Sequence, residues 1–123
     1  MFNFISKSIK NIFGTKYERD VNAYLPVVET INEYAEAYQS LSNDDLRHKT
    51  LEFRQRIAEH LAGIDEDMRA MHEEAVNEED ISRKEELFAE IDKLQEERDK
   101  ELEVILKDIL PEAFAVVKET ARR

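Results

Sequence analysis

Apolar side chains recur three or four residues apart along most of this chain, and that spacing commits it to helices. Val21, Leu25, Val28, Ile31, Ala35 and Tyr38 form one stripe, and Leu46, Thr50, Phe53, Ile57 and Leu61 form the next. A third, built from Phe88, Ile91, Leu94, Leu102, Ile105 and Ile109, runs near a coiled-coil seam that Arg98 interrupts. Only two Gly and two Pro occur in 123 residues, so turns and β-hairpins have little raw material. The predicted fold class is all-α: an amphipathic N-terminal helix, a small helical base and a projecting antiparallel helical hairpin.

Boundary signals divide the chain into four parts. Gly14-Thr15 is the natural break after residues 1–14. In the base, 15–63, Pro26 is expected to kink or restart the first helix. Ser42, with Asp44 and Asp45 behind it, is placed to cap the second, and Gly63 to close it. Residues 64–109 read as an antiparallel hairpin turning at Asn77–Ser82, where Ser82 and Glu85 spell a capping box. A single bent helix and a coiled coil pairing with another chain are the alternatives. Residues 110–123 open what reads as a fresh helix.

The net charge of −11 is concentrated in one block. Ile64–Glu103 holds 17 acids and 6 bases, and the rest of the chain carries 12 of each. That block repels phosphates, which argues against a nucleic-acid partner. With no Cys there is neither a disulfide framework nor thiolate chemistry, as suits a cytoplasmic setting. No apolar run is long enough to span a membrane, and "MFNFISKSIKNIF" lacks the features of a signal peptide.

That opening segment is the clearest candidate site. Phe2, Ile5, Ile9, Ile12 and Phe13 share one helical face, with Lys7 and Lys10 opposite and no acid before Glu18. Such a segment lies on an anionic membrane surface or docks in a protein groove. Catalysis finds no support. His48, His60 and His72 are twelve residues apart and fall on different helical faces, so they do not form a metal site. Two glycines cannot build a phosphate cradle. By its own chemistry the chain is a scaffold or interaction piece, with no catalytic, cofactor-binding or metal-binding residue.

Three stretches carry a family resemblance. "LSNDDLRHKTLEFRQRI" (Leu41–Ile57) and "LPEAFAVVKETARR" (Leu110–Arg123) resemble the start of SecA, the ATPase motor of bacterial preprotein translocation, and "MFNFISKSIKNIFGTKYERD" is similar to that family's amphipathic N-terminus. The likeness covers residues 1–61 and 110–123. Typical members join these parts by a far shorter connection than the 48 residues from Ala62 to Ile109, so the acidic hairpin reads as an insertion.

The resemblance implies a part of an ATP-driven translocase, peripheral on the cytoplasmic face of the inner membrane, that moves secretory preproteins through the SecY channel. It implies that residues 1–14 dock on anionic phospholipid and the channel and contribute to a homodimer. It also implies a chain that stops before the nucleotide-binding motifs. ATP and magnesium would then belong to the parent motor, and Leu110, Phe114 and Val117 would face its nucleotide-binding domain. The alternative is a freestanding helical coiled-coil adaptor whose N-terminus touches membranes.

Overall fold

The structure is a computed structural model that describes Lys7, Ile9, Asn11, Ile12 and residues 14–123. Lys7, Ile9, Asn11 and Ile12 are helical. Three long helices follow: α1 (Lys16–Tyr38), α2 (Asn43–Asn77) and α3 (Ile81–Arg122). The described residues contain no strand, so the molecule is all-α.

Each helix starts where a short polar side chain can satisfy its free amides. Thr15 Oγ1 accepts from the Glu18 N–H at 3.1 Å while Glu18 Oε2 accepts from the Thr15 N–H at 3.0 Å, a full capping box. Ser42 accepts from the Asp45 N–H at 3.1 Å and caps α2 as its sequence predicts. For α3 the cap is Asp80, accepting from the Ser82 N–H at 3.0 Å, and not Ser82 itself.

At three expected boundaries the helix continues. α1 runs on through Pro26, α2 through Gly63, and α3 through Pro111, so Leu110 does not open a new helix. A proline inside a helix costs about 3 kcal/mol or more. At Pro111 the cost is met by packing on both sides, since Ile109 and Ala115 are buried. Consequently α2 and α3 each cross positions where the sequence places a boundary between base and hairpin.

α2 and α3 pack side by side in opposite directions. Arg56 reaches Asp108, His60 meets Glu101, Asp65 meets Arg98 and Glu74 meets Arg83, so one index rises as the other falls. Between these pairs lies an apolar seam of three- and four-residue steps, buried at Leu61, Ala75, Leu87, Ile91, Ile105 and Ile109. Leu87, and not Phe88, is the seam residue at the far end. Arg98 remains in the seam because its guanidinium bonds Asp65 at the edge.

α1 packs against the last turns of α3. Ala35, Tyr38, Leu46 and Ala115 form one buried cluster. Asn32 bonds Lys118, Tyr38 meets Glu112, and Arg123 reaches the carbonyls of Tyr38 and Leu41. Lys16 to Leu25, in contrast, are all exposed.

Candidate docking surfaces

The base where the three helices meet is fixed by a polar network. Tyr38 donates its hydroxyl to Glu112 Oε2 at 3.2 Å. Arg56 donates to Glu112 Oε1 at 2.8 Å and to Asp108 Oδ2 at 2.9 Å. Burial, then the Glu112 carboxylate, pushes the Tyr38 phenol well above its ordinary value, so it stays a neutral donor. The Lys49 ammonium sits 5.3 Å from the centre of the Tyr38 ring.

A second constellation closes the base. Glu119 is 1% exposed and accepts from Arg122 and Arg123, while Arg123 also donates to Asn43 Oδ1 at 2.7 Å. Hydrogen bonds from the two guanidiniums pull the Glu119 carboxyl down to about 2. Neither constellation holds a group poised for catalysis, because each carboxylate is tied to a structural partner. Sequence reasoning missed both. Their only signal is the 3–4 spacing of Glu119 from Arg122 and Arg123.

With that face locked, the opposite side of α3 is left bare. Leu110 is exposed, Phe114 is 56% exposed and Val117 67%. Leu106, which periodicity did not single out, extends the same row at a four-residue step. A row of four large apolar side chains on a rigid helix is a docking surface by its chemistry. The free half of α1 adds exposed Tyr17, Val21, Tyr24, Leu25 and Val28.

Of the N-terminal candidates, Lys7, Ile9 and Ile12 are helical and exposed. Phe2, Ile5, Lys10 and Phe13 lie outside the described residues. The histidines have separate surroundings: His60 Nε2 is 2.8 Å from Glu101, and His72 stands edge-on to Phe88 with ring centres 6.4 Å apart. No helix among the described residues is long and apolar enough to cross a membrane.

Comparison with known proteins agrees with the motifs at the two ends. The model of the SecA DEAD-like domain matches residues 9–123. A protein translocase subunit SecA of Christiangramia forsetii is 41% identical over 121 residues, covering 98% of this chain and 11% of that protein. The subunits of Chloroherpeton thalassium and Cytophaga hutchinsonii are 41% and 43% identical, covering 95% and 94% of this chain and 11% and 10% of theirs. The chain therefore spans about a tenth of the length of these relatives. Because the first alignment takes in 98% of the chain, the acidic block has counterparts in that relative. No solved structure matches. A family model over nearly the whole chain and relatives above 40% identity place this protein in the SecA family.

Proposed function

We propose that this chain is the docking and bracing part of an ATP-driven protein translocase. The observation that carries the reading is the bare row Leu106, Leu110, Phe114 and Val117, backed by the locked face at Ala115 and Glu119. A rigid helix buried on one side and greasy on the other braces a further folded domain, and Leu110, Phe114 and Val117 are the contact. That the relatives are protein translocase subunits SecA supports the wider assignment.

In this reading the N-terminal segment holds the machine on the cytoplasmic face of the inner membrane. Phe2, Ile5, Ile9, Ile12 and Phe13 enter the headgroup boundary, and Lys7 and Lys10 meet anionic phosphates. The SecY channel, secretory preproteins and a second motor subunit are the remaining partners. ATP and magnesium act in the motor and not on residues of this chain.

Vesicle flotation tests the membrane arm. The chain should bind vesicles rich in anionic phospholipid and gain helicity there, and Ile9→Ser with Ile12→Ser should abolish both. Equal binding to neutral vesicles would overturn it.

A further inference from the structure

The far end of the α2–α3 pair carries an exposed apolar patch of its own. Val76 is 71% exposed and Ile81 74%, on either side of the turn, and Phe88 is 42% exposed. Phe88 lies seven residues beyond Ile81, on the same side of α3 and about 10 Å further along. His72, four residues before Val76 on α2, meets Phe88 edge-on. Ala115, where α1 packs, is 27 residues from Phe88, about 40 Å of helix, so a partner at the patch leaves the base uncovered.

The charge around the patch is one-sided. Residues 72–92 hold nine acids and two bases. Arg83 is held by Glu74 and Glu86. Lys84, partly buried and set between Ile81 and Phe88 at a three- and a four-residue step, offers one cation against the surplus. Glu79, Glu85 and Asp92 are exposed and form no salt bridge among the described residues. That field repels anionic headgroups and nucleic acid and draws in cations.

The backbone narrows the partner further. The described residues contain no strand, so an extended peptide finds no sheet edge to join there. A helix satisfies its own main-chain groups and docks through side chains spaced three and four residues apart. His72 and Val76 on α2, with Ile81 and Phe88 on α3, offer two short rows to such an apolar face. The carboxylates beside them suit lysines or arginines at its margins.

We infer that this end of the α2–α3 pair docks a basic amphipathic helix of another protein. Its apolar face lies on His72, Val76, Ile81 and Phe88, and its cationic side chains meet Glu79, Glu85 and Asp92. Burial of Val76 and Ile81 supplies the affinity, and the carboxylates supply orientation and a fast, salt-sensitive encounter. The acidic block thereby recruits a partner without occupying the surfaces that dock and brace the base.

The probe is a synthetic amphipathic helix of leucines and lysines, about four turns long. It is titrated into the full isotope-enriched chain, and amide shifts are mapped by NMR. Shifts should concentrate at residues 72–92, and binding should weaken steeply near 1 M salt, where the screening length falls to about 3 Å. Replacing the peptide's leucines by serine should weaken binding roughly tenfold or more, and replacing its lysines by glutamate should abolish it. Val76→Ser with Ile81→Ser alters only exposed positions and leaves the helix content unchanged. It should weaken binding roughly tenfold or more, a readable shift of about 1.4 kcal/mol. Glu85→Gln with Asp92→Asn should weaken binding and flatten its salt dependence. Shifts centred on Leu106, Leu110, Phe114 and Val117, equal binding of the serine peptide, or binding unchanged by both pairs of substitutions would each overturn the proposal. So would loss of the chain's own self-association in Val76→Ser with Ile81→Ser, since the patch would then belong to a second copy.

Discussion

The buried Glu119 carboxylate accepts from Arg123 Nε at 2.9 Å, and Arg123 then reaches two carbonyls of the α1–α2 turn, at Tyr38 (3.1 Å) and Leu41 (2.6 Å). One side chain thereby ties the end of α3 to the chain reversal that positions α1. Held down to about 2 while its ordinary value is near 4.5, Glu119 contributes stability that is complete above pH 4.5 and is lost as pH falls toward 2. Glu119→Gln should melt lower than wild type at pH 7, and the difference between the two should shrink between pH 4.5 and 2. Thermal melts by circular dichroism across that range check it, and a constant difference would contradict the linkage.

The Tyr38–Glu112–Arg56 network makes a graded prediction. Tyr38→Phe removes one hydrogen bond and leaves Glu112 with Arg56, which should cost about 0.5–1.5 kcal/mol. Glu112→Ala strips partners from both Tyr38 and Arg56, although Arg56 keeps Asp108, and should cost more, on the order of 1–3 kcal/mol. Urea denaturation of the two variants gives the order. Equal costs would mean that the three groups are not coupled.

Adjacent residues on α3 separate seam from surface. Leu87 is buried among Ala75, Ile91 and the partly buried Met68 and Met71, whereas Phe88 is exposed. Leu87→Ala should cost about 2–5 kcal/mol, and Phe88→Ala about 0.5 kcal/mol or less, as at other surface positions.

That pair also marks how far the sequence could be read. Three-and-four spacing identifies helices reliably, because burying a stripe is what makes each helix stable. It cannot choose between neighbouring apolar residues such as Leu87 and Phe88, since a 100° step puts either within reach of a broad seam. Local breakers misled for a related reason: Pro26, Gly63 and Pro111 weaken a helix locally, but packing across the neighbouring helix decides whether it continues. The tie from Arg123 to the α1–α2 turn was illegible because it joins residues far apart in sequence, Arg123 with Tyr38 and Leu41. Leu110, Phe114 and Val117 were legible as an apolar face, but their exposure became visible only once Ala115 and Glu119 had filled the inner side.

The two glycines should respond to alanine with opposite signs. Gly63 sits inside α2, its φ is not positive, and a Cβ there would meet nothing within 4 Å. Gly63→Ala should therefore stabilise the chain by about 0.4–1 kcal/mol, through helix propensity and reduced freedom of the unfolded chain. Gly14 has φ +73°, and a Cβ there would come within 2.7 Å of Glu18 Oε2, the oxygen that completes the capping box with Thr15. Gly14→Ala must distort either the left-handed turn or the cap, and should lower α1 helicity near its start with a cost on the order of 1 kcal/mol. Hydrogen exchange of the Glu18 and Arg19 amides reads this locally. Unchanged protection in Gly14→Ala would show that the turn does not depend on glycine.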